Sequence, residues 1–261
     1  MGFLSSLLAR IVIFLAMLGP AQAATVLVTG ANQGIGLEFV KEYAELGWTV
    51  IATHRRAETP ESLATLLKMY PKTVIIERMD VADLAMIDAV AAKYRGRPID
   101  VLLNNAGIVA DLKDPKPQMF GSLDYPLFDT FMRTNVRGPL KISEAFFANV
   151  KASEQKRIVM ISSLAGSHAG STRQPGRIYY RASKSALNMA VTSLALATQA
   201  DGVTVVSLHP GGVNVEKLIE FNRTDFMSPR ESVSSMIKVI DGLTISDSGK
   251  FMDSTGIEQP W

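Results

Sequence analysis

From residue 24 onward, short apolar runs rich in β-branched residues alternate with longer segments in which apolar residues recur every three or four positions. The short runs are typical of buried strands, and the longer repeat is typical of helices that bury one side. The predicted strands cover residues 24–29, 48–53, 73–77, 99–103, 157–161, 203–208 and 249–252. The predicted helices cover residues 35–46, 61–70, 83–94, 127–150, 180–200 and 229–240. Strands that alternate with helices favour an α/β fold with a parallel sheet covered on both faces.

The first 23 residues have a different character from the rest of the chain. Residues 3–18 are strongly apolar, Gly19-Pro20 interrupts them, and Ala21-Gln22-Ala23 follows. A short apolar core before an A-x-A triplet is typical of a secretory signal, and the run is short for a membrane-spanning helix. We expect residues 1–23 to be a cleaved signal or an uncleaved anchor, with a helix lying on the domain as the third interpretation. Since no linker or repeat divides residues 24–261, we predict one domain there.

Composition and charge exclude several classes of protein. The 261-residue chain has a net charge of +2, which is too close to balance to indicate nucleic acid binding. It contains no cysteine, so neither disulfides nor thiolate metal sites can form. The three histidines, His54, His168 and His209, lack the spacing of metal ligands. We therefore predict no metal site and no nucleic acid partner.

A glycine-rich turn follows the first predicted strand. The residues from Thr29 to Gly36 read TGANQGIG and lead directly into a helix. In this context glycines let the backbone approach a pyrophosphate, and the helix N-terminus supplies free N–H groups. The second strand ends next to Arg55, and no acidic residue comes before Glu58. Because arginine suits a 2′-phosphate and an acidic residue suits a free ribose hydroxyl, the sequence favours NADP(H), with NAD(H) as the alternative.

Tyr180 and Lys184 lie four residues apart in a predicted helix without proline or glycine. Residues at this spacing share a helix face. A nearby cation favours the phenolate, so we expect the pKa of Tyr180 to fall from about 10 towards neutrality. The phenol could then give and take protons, although a surface pair without function has the same spacing. Residues 186–197 are small or apolar nearly all round, which indicates burial against the sheet and against a partner or other parts of the chain.

Taken together, the motifs resemble the short-chain dehydrogenase/reductase family, single-domain branch. The matching motifs are TGxxxGxG at 29–36, NNAG at 104–107, Asn135, Ser162-Ser163, YxxxK at 180–184 and Pro210-Gly211. The stretches YRASKSALNM and GKFMDSTGIEQPW are similar to sniffer-type carbonyl reductases and C-factor-like proteins. The resemblance implies a doubly wound, mostly parallel seven-stranded Rossmann sheet in the order 3-2-1-4-5-6-7, with helices on both faces.

The resemblance also implies a role for each site residue. Tyr180 would give a proton to a substrate carbonyl oxygen, and Ser163, rather than Ser162, would donate a hydrogen bond to that oxygen. Lys184 would bind the nicotinamide ribose and lower the pKa of Tyr180, and Asn135 would hold a water that returns the proton. The residues that would bind the cofactor are Gly30, Asn32, Gln33, Gly34, Ile35, Gly36, Arg55, Asp80, Val81, Asn104, Ala106, Gly107, Tyr180, Lys184, Pro210, Gly211 and Val213.

The function implied by the resemblance is hydride transfer between NAD(P)(H) and a small carbonyl or alcohol substrate, in a homodimer or homotetramer. Val215 departs from the threonine that is common after the Pro-Gly turn. Such departures leave a second hypothesis, a cofactor-binding signalling or sensor protein with little turnover. Membrane contact would involve only residues 3–18, if they are not cleaved. The signal-like N-terminus indicates export or membrane attachment, whereas the cofactor indicates a domain that faces the cytoplasm.

Overall fold

The computed structural model describes residues 23–109, 113–170, 176–216 and 224–261. The strands in these ranges form one seven-stranded sheet in the order β3-β2-β1-β4-β5-β6-β7, which confirms the predicted topology. Every pair of neighbouring strands is parallel. The strands are β1 (Thr25–Val28), β2 (Thr49–His54), β3 (Val74–Arg78), β4 (Val101–Asn104), β5 (Arg157–Ile161), β6 (Thr204–His209) and β7 (Phe251–Asp253).

Five of the six helices predicted from the 3.6-residue repeat are present as single α-helices in the described residues. The α-helices are α1 (Gly34–Glu45), α2 (Glu61–Met69), α3 (Leu84–Lys93), α4 (Tyr125–Met132), α5 (Gly138–Ala145), α6 (Phe147–Lys151), α7 (Ile178–Thr198) and α8 (Pro229–Gly242). Asp83 caps the N-terminus of α3, because its carboxylate accepts a hydrogen bond from the Met86 N–H at 3.0 Å.

The sheet is buried on both faces by these helices. On one face, β-strand residues such as Val50 and Ala52 pack in one apolar cluster with α1, α2 and α8. On the other face, Ile51 packs in a second cluster with α3, α5 and α7. Successive residues of a strand point to opposite faces, so a strand buried on both sides reads as a continuous apolar run. This explains why the strands are visible in the sequence as short runs and not as an alternating pattern.

The strand order reverses between β1 and β4, and this reversal positions the site. β1 and β4 are neighbours, with Val28 paired to Leu103. The helices that follow these two strands leave on opposite faces, which opens a crevice at the carboxyl ends of the strands. The Thr29 hydroxyl joins the two sides of the crevice, since it accepts hydrogen bonds from the N–H groups of Asn105 at 3.0 Å and Ala106 at 2.9 Å.

The helix predicted over residues 127–150 is not continuous, and its interruption is a correction to the sequence pattern. A π-helical segment, Arg133–Arg137, separates α4 from α5. It contains Asn135, whose side chain is fully buried, so the long helix is interrupted at a buried polar residue. The next residue, Gly138, has no room for a side chain, because a Cβ at that position would lie 2.5 Å from the carbonyl oxygen of Val81.

Some of the sequence-based predictions fall on residues outside the described ranges. These include nearly all of the signal or anchor predicted at 1–23. Within the described ranges, no helix is both long enough and apolar enough to cross a membrane.

Candidate active site

The glycine-rich turn after β1 has the conformation that its glycines predict. Gly30 has a φ of +64°, and a Cβ there would lie 2.8 Å from the Cα of Ala106. The Asn105 side-chain amide donates to the carbonyl oxygens of Thr29 at 2.9 Å and Gly30 at 3.3 Å. A Cβ on Gly36 would overlap this amide and the Gly30 carbonyl. Glycine is therefore required at both positions by a positive φ or by close packing of the backbone.

The N-terminus of α1 has the features of an anion-binding site. Gln33 occupies the N-cap position without a capping hydrogen bond from its side chain, and the first turn carries no acidic residue. The N–H of Gly34, whose φ is +54°, donates to the carboxylate of Glu216 at 3.2 Å. The main-chain carbonyl oxygen of Asn32 accepts a hydrogen bond from the Ser62 hydroxyl at 2.8 Å, which fixes the position of Asn32. Free N–H groups, a helix dipole and small residues together suit a phosphate group.

The other cofactor-binding residues predicted from the resemblance lie at the carboxyl ends of neighbouring strands. Arg55 is exposed directly after β2, and Val81 is buried shortly after β3. Asp80 accepts a hydrogen bond from the N–H of Ala82 at 2.9 Å. Asn104 is buried at the end of β4, where its amide donates to the Ser143 hydroxyl at 3.3 Å.

The segment after β6 approaches the crevice from the side of β5. The Pro210 carbonyl oxygen accepts the Ser232 hydroxyl of α8 at 2.6 Å. Gly211 has a φ of +82°, which allows the chain to turn here. Val213 is paired with Met227 in an isolated bridge. The turn is thus fixed on both sides before it reaches Glu216.

Tyr180 and Lys184 are both buried on α7, one turn apart. The Lys184 ammonium donates to the Ile161 carbonyl oxygen at 2.8 Å, and burial lowers the pKa of Lys184 to about 8. The Tyr180 phenol is hydrogen bonded to the Ser163 side chain. Burial raises the pKa of Tyr180, and the opposing effects of Ser163 and Arg177 do not offset it. The predicted fall of this pKa is therefore wrong for the described structure, because loss of hydration outweighs nearby charge.

The two serines at the end of β5 have different environments. The Ser162 hydroxyl is buried and donates to the Asn188 side chain at 2.6 Å. The Ser163 hydroxyl accepts the Ala165 N–H at 3.2 Å and meets Tyr180. Of the two alternatives, only Ser163 is brought together with the phenol.

Asn135 connects the π-helical segment to the strand ends and to α7. Its carbonyl oxygen accepts the Ile108 N–H at 2.8 Å, and its amide donates to the Ile108 carbonyl at 3.0 Å and the Ser183 hydroxyl at 3.0 Å. A Cβ built on Gly107 would lie 3.2 Å from the Asn135 carbonyl oxygen and 3.7 Å from the Lys184 nitrogen. Asn135, Gly107 and Lys184 therefore meet at one point of the crevice.

Several residues that build the site carry no clear signal in the sequence. Gln118 lies in the loop before α4, yet its side chain accepts the Tyr180 N–H at 3.0 Å. Ser183 donates to the Tyr180 carbonyl at 2.8 Å, and only its place inside YxxxK draws attention to it. Glu216 reaches the glycine turn only because the fold brings it there. Among the described residues, no group of three acidic or histidine side chains could hold a metal ion.

The parallel sheet, the open glycine turn and the Ser163–Tyr180–Lys184 arrangement define a class, the oxidoreductases that bind a nicotinamide nucleotide on a doubly wound sheet. The chain belongs to the short chain dehydrogenase family, whose sequence pattern matches residues 24–225. This confirms the resemblance stated from the motifs. It supports a nicotinamide cofactor and a small-molecule substrate.

Individual proteins agree with this assignment. The NADPH-bound carbonyl reductase from chicken fatty liver superposes with a TM-score of 0.82 at 31% identity, over 92% of this chain and all (100%) of that chain. The carbonyl reductase Sniffer of D. melanogaster superposes with a TM-score of 0.78 at 26% identity, again over 92% and 100%. C-signal of Myxococcus xanthus is 36% identical over 165 residues, which cover 63% of this chain and 93% of that protein.

Proposed function

We propose that this protein is an NADPH-dependent carbonyl reductase in which Tyr180 protonates the oxygen of a small carbonyl substrate. The observation that carries the proposal is the hydrogen bond between Ser163 and Tyr180, one helical turn from the buried Lys184. Two hydroxyl groups that face each other can both donate to one oxygen placed between them. Donors fixed in advance around a developing negative charge are the usual large contribution to catalysis.

The protonation state of Tyr180 favours one direction of the reaction, carbonyl reduction. Because burial raises its pKa, the phenol is protonated at neutral pH and is a proton donor there. The carbonyl carbon receives its hydride from the nicotinamide, when that group is bound. Ser163 donates a second hydrogen bond to the substrate oxygen, and reduction is favoured over alcohol oxidation, which needs the phenolate as a base.

Lys184 and Asn135 would assist the proton transfer from Tyr180. The buried ammonium of Lys184 would bind the nicotinamide ribose and stabilise the phenolate left after proton transfer. Among the described residues, the side-chain carbonyl oxygen of Asn135 accepts one hydrogen bond, from the Ile108 N–H, and a carbonyl oxygen can accept two. It can therefore hold a water that returns a proton to the phenol.

The residues around the crevice fit NADP(H). Gly30 to Gly36 and the α1 N-terminus would hold the diphosphate, and the exposed guanidinium of Arg55 would pair with the 2′-phosphate. Asp80 and Val81 would border the adenine. Asn104, Ala106 and Gly107 would line the cofactor, with Pro210, Gly211 and Val213 beside the nicotinamide. The NADPH in the chicken carbonyl reductase supports this preference, and NAD(H) is the alternative.

The surroundings of Tyr180 favour an apolar substrate. Phe131 and Tyr179 form a small apolar cluster with Tyr180, against which Ile108 and Leu127 pack. Apolar side chains are also exposed on α4 and the loop before it, including Phe120, Tyr125 and Phe128. Apolar aldehydes, ketones and quinones are therefore the substrate class to screen first.

Replacement of Tyr180 by phenylalanine tests the proposal. Tyr180→Phe removes the proton donor and should lower kcat at least about 1,000-fold, with the Kd for NADPH within about threefold. Tyr179→Phe is the matched control, because the neighbouring phenol is also buried but has no hydrogen-bond partner in the described structure. Retained turnover in Tyr180→Phe would contradict the proposed role. A wild-type protein that binds NADPH but reduces no carbonyl in the screen would favour the sensor hypothesis.

The N-terminal segment and the oligomeric state enter the same proposal. Residues 1–23 would form a signal or anchor before one domain at 24–261, and an uncleaved anchor with the domain facing the cytoplasm would give it access to NADPH. Mass spectrometry of the natural N-terminus decides whether cleavage occurs. Met189 and Leu196 are exposed on α7, which supports a homodimer or homotetramer formed through this helix. Light scattering that gives a monomer at micromolar concentration would contradict it.

A further inference from the structure

Residues 253–261, which we call the Asp253 segment, fold back along β7. The carboxylate of Asp253 organises the turn, since Oδ1 accepts the Ile257 N–H at 3.1 Å and Oδ2 accepts the Gln259 side-chain amide at 2.9 Å. The main-chain N–H of Gln259 donates to the Phe251 carbonyl at 2.7 Å. These bonds hold the segment firmly against the sheet, so the last two residues of the chain have a defined position.

Pro260 and Trp261 contact the serine loop, residues 163–170. The Ser167 hydroxyl donates to the Pro260 carbonyl oxygen at 2.6 Å, and the Ala169 N–H donates to the Trp261 carbonyl oxygen at 3.0 Å. Ser167 is only 2% exposed. When one partner of such a buried hydrogen bond is removed, the other is left unpaired, and this lowers the stability of the folded protein.

The opposite side of the serine loop lies on α7. The Gly166 carbonyl accepts the Ser185 hydroxyl at 2.7 Å, and a Cβ on Gly166 would lie 2.6 Å from the main-chain carbonyl carbon of Lys184. At its start, the loop is closed by the Ala165 N–H, which donates to the Ser163 hydroxyl. The loop is therefore held between α7 and the Asp253 segment, and Ser163 is its first residue.

We propose that Ser167 is a positioning residue for the reduction, and that it holds Ser163 opposite Tyr180 through its hydrogen bond to Pro260. The inference rests on the proposed function. Ser167 itself touches no reacting atom. Without its bond to Pro260, the serine loop can move away from α7, and the Ser163 hydroxyl no longer faces the substrate oxygen. A misplacement of about 1 Å is enough to reduce turnover about 100-fold, so the effect should fall on kcat.

Two variants of the full chain test the proposal. Ser167→Ala, and a variant that lacks Pro260 and Trp261, should each lower kcat at least about tenfold while the Kd for NADPH stays within about twofold. Hydrogen exchange at the Ala169 amide should become at least about tenfold faster in the shortened variant, because its acceptor is gone. This exchange measurement does not depend on activity.

Two controls separate positioning from general stability. Trp261→Phe keeps both carbonyl acceptors and can keep the ring contact with Phe251, which has a centroid distance of 5.7 Å, so it should retain wild-type kcat. Ser246→Ala removes an exposed hydroxyl away from the site and should also be silent. A loss of kcat in Ser167→Ala that is matched by weaker NADPH binding would overturn the proposal.

The outcomes distinguish this inference from the proposed function. An active wild-type protein whose two test variants keep kcat within about twofold overturns the positioning role alone. A wild-type protein without carbonyl reductase activity overturns the proposed function and the positioning role with it.

Discussion

The ammonium of Lys184 donates to the main-chain carbonyl of Ile161 at a distance of 2.8 Å. That carbonyl belongs to the final residue of β5, immediately before the two serines, so the bond joins α7 to the strand that carries Ser163. One carbonyl does not replace the hydration of an ammonium group, which is why burial lowers the pKa of Lys184 to about 8. The bond to Ile161 therefore positions the Lys184 ammonium, while burial destabilises its charged form.

The first prediction concerns pH and stability. The pKa of Lys184 is about 8 in the folded protein and 10.5 in the unfolded chain, so the unfolded chain binds more protons between these values. Stability therefore rises with pH across this window, by up to about 3 kcal/mol from this one group. Lys184→Met lacks the titration. Urea unfolding at several pH values should show the wild type gaining relative to the variant from about pH 8 to 10.5. A constant difference would contradict the pKa.

The second prediction concerns the choice of cofactor. Arg55→Ala removes the guanidinium expected to meet the 2′-phosphate, and charge-assisted hydrogen bonds of this kind are worth about 1.5–3 kcal/mol. The Kd for NADPH should rise about 10- to 100-fold, while the Kd for NADH changes less than about twofold. Arg56→Ala, the exposed neighbour, is the matched control. Equal weakening of both cofactors would show that Arg55 does not read the 2′-phosphate.

The third prediction concerns Glu216, whose carboxylate accepts the Gly34 N–H at 3.2 Å. The diphosphate of a dinucleotide would need the same N–H group and would be repelled by the same charge. Glu216→Gln should therefore tighten NADPH binding about three- to tenfold at low salt, with a smaller gain at high salt. Glu45→Gln makes the same charge change at the other end of α1. An unchanged or weaker affinity in Glu216→Gln would exclude this competition.

The fourth prediction concerns the π-helical segment. Asn135→Leu keeps a branched side chain with the same number of heavy atoms, but it removes the partner of the Ile108 N–H and carbonyl and one of the hydrogen bonds of the Ser183 hydroxyl. Buried groups left unpaired cost about 1–3 kcal/mol each, so we expect the free energy of unfolding to fall by about 2–5 kcal/mol. Arg133→Ala, an exposed change in the same segment, should cost less than about 0.5 kcal/mol. Similar losses in both variants would indicate that the segment is insensitive to its side chains.

The fold was predictable from the sequence because its information is local and repeated. Every strand is a largely apolar run of three to six residues, and every helix has its own apolar side. The strand order came from the family resemblance, which the glycine turn and NNAG motif carried. The interrupted helix was the exception. Asn135 and Gly138 are poor helix formers, but the contacts that fix the interruption are with Ile108 and Val81, which are distant in the chain.

The site was predictable only where its residues form contiguous motifs. TGxxxGxG and YxxxK are visible because turn and helix geometry impose a fixed spacing. Gln118 and Glu216 were missed, because their contacts with Tyr180 and Gly34 span 62 and 182 residues. The predicted direction of the Tyr180 pKa shift was also wrong. The spacing to Lys184 indicates a nearby charge but does not show how deeply the phenol is buried.

By itself the sequence determined the layered α/β architecture, the phosphate-binding turn and the tyrosine–lysine pair, since each depends on residues within a turn or two of one another. Only the tertiary structure decided how deeply Tyr180 and Lys184 are buried and which segment holds Ser167. Those outcomes depend on which surfaces different strands and helices bring together, and on how much water is excluded between them. Hydration and long-range contact have no pattern along a chain, so they become defined when the chain folds.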